Sequence, residues 1–429
     1  MAITGRVPLL LLLGVVPVVL RPTLGTAWSW VLLVLLLVLA DWFAAPRPQV
    51  LTAVRSADPR VRVGEETQTV LVLTNPSSRR LNGTVRDAWQ PTAGATGNRH
   101  QVRLAAGAGV RLTTRLLPVR RGDLRTAGVT VRLLGPLGLA ARQRTREVPG
   151  AVRALPPFGS RKHLPSRLAR LRELDGRAAV RVRGPGTEFD SLREYVRGDD
   201  VRSIDWRASA RNRSVVVRTW QPERDRRVVL VLDTSRTSAG RVADVPRLDS
   251  AMDAALLLAA LAARAGDRVD FLAGDRRVRS RLRLSGNDVV APLSDAMSGL
   301  VPIIAEADWS ALAGALAQLG RQRALVVLLT PLEPSAIEDG LLPVLPTLVK
   351  HHRVILASVK DPALEEMADA RTSADDVYGA AAAEQVLARR RRTAEVLTAL
   401  GVDIVDADAE RLPPALADHY LSLKARGLL

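Results

Sequence analysis

Two apolar runs near the N-terminus constrain this chain more than any other feature. Residues 7–20 carry no charge and are mostly aliphatic, with Arg6 and Arg21 on either side. A short turn over 22–25 leads to residues 27–40, apolar again and continuing through Asp41-Trp42-Phe43. The second run approaches the roughly 20 residues a helix needs to cross a bilayer. Trp28, Trp30 and Trp42 sit near its ends, where indoles prefer the interface. The first run is shorter and must borrow residues around Arg6, whose side chain can snorkel. The expectation is a transmembrane helical hairpin over residues 1–47. A cleaved signal peptide is the competing reading, because Arg6 plus a short apolar core fits one and Gly25-Thr26-Ala27 is a passable cleavage site. The second run would still hold the chain in the membrane. Arg47, Arg55, Arg60 and Arg62 crowd its exit, whereas the intervening turn has only Arg21. The positive-inside rule therefore expects a multi-pass protein of the cell membrane with its large C-terminal part in the cytoplasm.

With 429 residues, 47% of them hydrophobic, the chain has room for two or three cored domains. A net charge of +18 ordinarily points to nucleic acid or an anionic membrane face. Here lysine occurs only at 162, 350, 360 and 424, and the arginines are scattered through strands and helices, which argues against a nucleic-acid partner. The absence of cysteine excludes disulfides, thiol catalysis and thiolate metal sites.

Residues 48–156 read as short alternating strands, among them 68–73, 109–116 and 128–133, punctuated by Asn75-Pro76, Gly107-Ala108-Gly109 and Arg121-Gly122-Asp123. A small antiparallel β-sandwich is expected, serving as a spacer or interaction module. Residues 157–183 form a basic connector, helical over about 166–174. Beside an anionic leaflet each of its bases would gain about 1 kcal/mol.

Residues 184–227 then pack acids, bases and aromatics tightly. Glu188, Asp190, Glu194, Asp199, Asp200 and Asp205 alternate with Arg193, Arg197 and Arg202, while Phe189, Tyr195, Trp206 and Trp220 supply surface to bury. Arginine forks match carboxylates bidentately, so these charges are expected to hold the segment in one shape. A catalytic carboxylate pair is the alternative. The runs Gly186-Thr187-Glu188-Phe189-Asp190-Ser191-Leu192-Arg193-Glu194-Tyr195, Gly198-Asp199-Asp200-Val201-Arg202, Ile204-Asp205-Trp206-Arg207-Ala208-Ser209-Ala210-Arg211 and Glu223-Arg224-Asp225 resemble the motif of the domain of unknown function 58 family. The order of parts is also similar: paired membrane helices, a β-rich segment closing on a Pro-Leu-Gly-Leu turn, the motif, and a von Willebrand factor A-like domain. The resemblance implies partnership with MoxR-type AAA+ ATPases in assembling or remodelling protein complexes.

The residues of 228–429 independently suggest a doubly wound α/β domain. Buried-type strands at 228–232, 268–273, 278–284, 324–329, 353–359 and 403–405 alternate with helices at 249–264, 309–319 and 335–350 and a long helix ending near 400. Ligands on such sheets bind at the carboxyl ends of strands, where Asp233, Ser235 and Thr237 fall. Their Asp-x-Ser-x-Thr spacing resembles the oxygen-ligated Mg2+ or Mn2+ site of A-like domains. The resemblance also implies a threonine from a second loop and an aspartate from a third. Here Glu306-Ala307-Asp308-Trp309 places alanine at the threonine position and Leu329-Thr330-Pro331 places proline at the aspartate, leaving Asp308 or Glu333 to compensate. A capped strand-to-helix turn without a cation is the other reading. The chain lacks a phosphate-binding Gly-x-x-x-x-Gly-Lys-Ser/Thr loop, and its five histidines lack zinc spacing. Two function classes follow: a non-enzymatic membrane-anchored adaptor, or a metal-dependent hydrolase using the carboxylates of 188–205.

Overall fold

The computed structural model describes residues 2–56, 59–181, 188–211, 214–221, 226–284, 286, 288–319 and 322–429. The chain divides into two compact units, Met1–Leu155 and Pro156–Leu429, so the architecture is multidomain.

In the first unit the apolar runs form α1 (Arg6–Leu13), α2 (Val15–Leu20) and α3 (Leu24–Ala44). The break between α1 and α2 falls at Gly14. A Cβ there would meet Trp30 Cδ1 at 2.2 Å, so the glycine permits the indole's close approach. Trp30 Nε1 donates to Leu10 O across that gap. Thr23 caps α3 by accepting from Thr26 N. The segment Leu24–Val50 is long and apolar enough to cross a membrane, and Arg6–Leu20 is a shorter apolar helix. Val34 and Val38 are buried with Val7, Leu139 and Ala140, while Leu32, Leu33, Leu35 and Leu36 stay exposed.

The β part comprises β1 (Ala2–Ile3), β2 (Thr52–Arg55), β3 (Arg60–Arg62), β4 (Thr67–Thr74), β5 (Leu81–Trp89), β6 (Ala95–Thr96), β7 (Arg99–Leu104), β8 (Gly109–Leu116), β9 (Gly122–Leu134), β10 (Ala140–Arg146) and β11 (Ala151–Leu155). One sheet runs β1-β10-β9-β11-β3, with β5 bridging β9 and β7; the other runs β2-β4-β8-β6. Alternate residues of both sheets, such as Leu71, Leu73 and Leu112 from one and Val85, Val129 and Val131 from the other, share one core. The pairing departs from the all-antiparallel expectation at one place: β3 and β11 run parallel. Inside this unit Asp87 is fully buried, paired with Arg55 at 2.6 Å and accepting also from Trp89 Nε1 and Thr114 Oγ1.

The apolar helices and the sheets meet at the turn Gly135-Pro136-Leu137-Gly138-Leu139. Asp41, in the last turn of α3 and 1% exposed, accepts from Leu137 N, Leu139 N and Ala140 N at 2.7–2.8 Å. Thr4 Oγ1 donates to Gly138 O and Arg6 Nη1 to Leu137 O. The chain thus leaves this turn at Thr4 and returns to it at Asp41.

In the second unit, the stretch expected as a basic connector contains a 3-10 turn (Gly159–His163) and α4 (Leu164–Arg181), a longer helix than the sequence suggested. Leu164, Leu168, Leu171 and Leu174 recur at helical spacing and pack on the α/β core, Ser160 is bonded to Asp253, and Arg167 pairs with Asp418. The motif forms β12 (Glu188–Glu194), α5 (Trp206–Ser209) and β13 (Val216–Gln221), with β12 and β13 antiparallel.

The large sheet consists of β14 (Arg227–Asp233), β17 (Arg268–Gly274), β18 (Val278–Leu284), β19 (Leu325–Leu329), β20 (Arg353–Val359) and β21 (Val402–Ala407); a small hairpin of β15 (Arg241–Val242) and β16 (Val245–Pro246) follows β14. Its order is β18-β17-β14-β19-β20-β21, parallel except for the β18 edge. One face is covered by α6 (Arg247–Arg264), α7 (Val290–Ser298) and α13 (Leu412–Ala425). The other is covered by α8 (Trp309–Ala317), α10 (Leu345–His351) and part of α12 (Ala374–Ala399), while α11 (Ala363–Asp369) packs on α12. The single helix expected over 335–350 is broken into α9 (Pro334–Ala336), a π turn (Ile337–Leu341) and α10. Gly340, Pro343 and Pro346 account for the break, since proline cannot donate to the preceding turn.

Candidate functional site at the strand ends

Chain order reverses direction between β14 and β19, so the crevice at their carboxyl ends is the topological switch point of the sheet. Leu232 is in register with Leu329, which sets Asp233 and Thr330 side by side one step further on. Asp233 is 1% exposed. Its Oδ1 accepts from Ser235 N at 2.7 Å, and its Oδ2 accepts from Thr330 Oγ1 at 2.7 Å and Thr237 Oγ1 at 3.1 Å. Because the Thr237 proton goes to Asp233, Ser235 Oγ is the donor in its 3.1 Å bond to Thr237 Oγ1. Burial pushes the Asp233 carboxyl above its ordinary value, opposed by the bonds from Ser235, Thr330 and Thr237.

Of the residues expected here, Ser235 and Thr237 join Asp233 and Asp308 does not. Asp308 is exposed and its Oδ1 caps α8 by accepting from Ala311 N. Glu333 precedes α9 without a side-chain cap bond. Sequence reasoning assigned the third loop's place to a proline and passed over Thr330, which makes the short bond. It also passed over Asp275, whose buried Oδ2 accepts from Thr234 Oγ1 and Arg279 Nε, both at 2.8 Å, tying β14 to the β17–β18 turn. A strand-end hydroxyl residue in the β19 register was the available signal for Thr330.

Mg2+ takes six oxygens at about 2.0–2.1 Å and favours carboxylates. The carboxylate of Asp233 is instead enclosed by donors whose protons point at it, and among the described residues no group of three or more His, Asp or Glu side chains is placed to hold a metal. Around Asp233 a cation would have to draw on water and on the Ser235, Thr237 and Thr330 hydroxyls, which here bond to the carboxylate or to one another. The adjoining cavity, lined by Ser238, Arg247, Thr330, Pro331 and Ala357, measures ≈ 10 Å3. That is room for about one water.

In the motif, Arg193 pairs with Asp199 at 2.5 Å and Arg218 with Asp205 at 2.7 Å. Asp199 is held below its ordinary value by the Arg193 bond and then by Val196 N; Asp205 is lowered by Ala208 N and then by Arg218. Asp205 also caps α5, Asp200 accepts from Arg202 N, and Ser209 Oγ links Asp205 O to Val216 N. Gly198 has φ +114, a conformation that L side chains rarely adopt. Tyr195 donates its backbone N–H to Val215 O. Outside the paired charges, Trp206 is 67% exposed, Val201 63% and Val196 60%. Arg197, Arg202, Arg207 and Arg211 are exposed with no carboxylate partner among the described residues. Glu188, Phe189 and Asp190 lie on β12, but their side chains, like Gly186-Thr187 and Glu223-Arg224-Asp225, lie outside the described residues.

These features define a doubly wound α/β domain with a hydroxyl-caged aspartate at its switch point, preceded in the chain by a charged hairpin motif. Residues 191–394 match the family model described as "Protein of unknown function DUF58", which supports that family for this part of the chain. A search of curated proteins found no match. Three solved structures are each similar over about a quarter of the chain. The PapD-like domain 7 of human CEP192 is 12% identical over 26% of this chain and 89% of that one, with a TM-score of 0.21. The CARDB domain of PF1109 from Pyrococcus furiosus is 16% identical over 24% and 92%, with a TM-score of 0.17. Salmonella alpha-2-macroglobulin is 17% identical over 25% of this chain but 7% of that one, with a TM-score of 0.19.

Proposed function

We propose that this protein is a non-enzymatic, membrane-anchored adaptor that docks a protein partner on its charged motif, the partner being a MoxR-type AAA+ ATPase or one of its clients. The observation that carries this reading is the surface of the motif hairpin. Asp199 and Asp205 are taken up by Arg193 and Arg218 and Asp200 caps the turn that follows it, whereas Trp206, Val201 and Val196 face solvent beside four arginines that have no carboxylate partner among the described residues. Exposed tryptophan and arginine together are the residues that dominate protein interfaces, and unpaired arginines select a partner with an acidic contact surface.

The order of the large sheet, with its antiparallel edge, supports reading 228–429 as a von Willebrand factor A-like domain whose cation site has been replaced by the Asp233 hydroxyl cage. The return of the chain to one turn at Thr4 and Asp41 supports α1, α2 and α3 as a two-pass hairpin, with the arginine-rich side in the cytoplasm. Against a hydrolase stand the engagement of Asp199 and Asp205 by Arg193 and Arg218 on an exposed hairpin and the ≈ 10 Å3 cavity at the strand ends, too small for a substrate.

The test is capture from native membranes after crosslinking, followed by identification of bound proteins. Wild type should recover an AAA+ ATPase. Trp206→Ala should lower that recovery at least about 30-fold, the loss of a hot-spot residue, with an unchanged thermal midpoint. Stabilised complexes that yield no AAA+ ATPase would sink the reading.

A further inference from the structure

We propose a binding site for the phosphate-ester headgroup of an anionic phospholipid at the end of α3. A cleft of ≈ 310 Å3 lies there, within the range of small-ligand sites, lined by Trp42, Arg47 and Gln49 from the helix exit and Arg142, Gln143 and Arg144 from β10. Among the described residues no acidic side chain lines it.

The parts of the cleft differ in what they are free to do. Arg142 is fixed: its Nε donates to Trp42 O at 3.1 Å, its Nη2 to Phe43 O at 3.3 Å, and its guanidinium lies 5.1 Å from the centre of the Trp42 ring. It satisfies carbonyls at the negative end of α3 and holds the indole in place. Arg47 and Arg144 are exposed and make no ion pair among the described residues. Two unpaired guanidinium forks thus flank a cleft with two amide side chains beside them. That set recognises a phosphate bidentately.

Depth selects the lipid as the source. Leu24–Val50 is the segment able to cross a membrane, and its aliphatic run ends at Leu39-Ala40. At 1.5 Å per residue Trp42 follows by about 3 Å, inside a headgroup layer roughly 5–7 Å thick on each side. An indole at that level is an interfacial anchor. A phosphatidylglycerol headgroup would meet the arginines there, whereas the choline of phosphatidylcholine would be repelled.

Native mass spectrometry of the full chain in neutral detergent, with phosphatidylglycerol or phosphatidylcholine added, tests the site. Wild type should retain phosphatidylglycerol preferentially. Arg47→Gln with Arg144→Gln should weaken that retention about 25-fold, about fivefold per base, and Arg144→Glu alone should abolish the preference. Arg99→Gln with Arg103→Gln, exposed residues of β7, should leave it unchanged. Equal losses from the two pairs, or no loss from the cleft pair, would overturn the proposal. So would wild-type binding of inorganic phosphate or glycerol phosphate with the same dependence on Arg47 and Arg144, which would give the cleft to a soluble anion.

Discussion

Replacing Thr330 by valine isolates the bond on which the strand-end arrangement turns. The side chains are nearly isosteric, so the change removes the hydroxyl donor 2.7 Å from Asp233 Oδ2 and leaves packing almost intact. A hydrogen bond to a charged group contributes about 1.5–3 kcal/mol, against about 0.5–1.5 for a neutral one. At neutral pH a loss of about 2 kcal/mol should lower the midpoint of the α/β unit by roughly 4–8 °C, read by calorimetry on the full chain in detergent. Thr330→Ser, which keeps a donor, should recover most of it. Removing the donor raises the Asp233 pKa further, so the penalty should shrink as pH falls and the carboxyl protonates. In wild type the sign is the same. The folded pKa is raised above the unfolded 3.8, so the Asp233 contribution is fully present below the unfolded value and is lost as pH rises through the folded one. A neutral or stabilising Thr330→Val would refute the cage. A midpoint raised by millimolar Mg2+ or Mn2+ in wild type but not in Asp233→Ala would refute it differently, by making the site a cation site after all.

Asp87→Ala should strip the β unit of its buried partner for Arg55, whose side chain is 3% exposed, and cost about 3–5 kcal/mol by leaving an uncompensated charge; loss of the first-unit transition in calorimetry checks this. Gly135→Ala would set a Cβ 2.3 Å from Asp41 Oδ1, so the turn at 135–139 should open and become sensitive to limited proteolysis. Asp41→Ala should produce the same cleavage by stranding three amides, two of them buried, whereas Asp41→Asn, which keeps one acceptor oxygen, should be milder.

The elements that sequence made legible are those set by local pattern. Alternation of period two marked β4, β8 and the second half of β9, and solid apolar runs marked β14, β19 and β20. Asp233, Ser235 and Thr237 were visible because they follow an apolar strand within five residues. Thr330 was not, since its contact depends on the register of β14 against β19, a relation between segments 97 residues apart. Asp41 read as the end of an apolar span, because nothing local discloses that three amides of a distant turn require an acceptor there. The arginines of 157–183 obscured the leucine spacing of α4, whose amphipathic face shows only when every third or fourth position is followed past its charged neighbours.

The pairing of β1 with β10 also has a consequence in time. Ala2 and Ala141 are partners, and 141 − 2 = 139 residues separate their synthesis. At roughly 5–20 residues per second that interval is roughly 7–28 s on the ribosome. The apolar helices are therefore synthesised in full well before the strand that precedes them can find its place. Helix formation can come first and sheet closure second, so the turn that receives Thr4 and Asp41 acts as a late latch, fastening helices already formed.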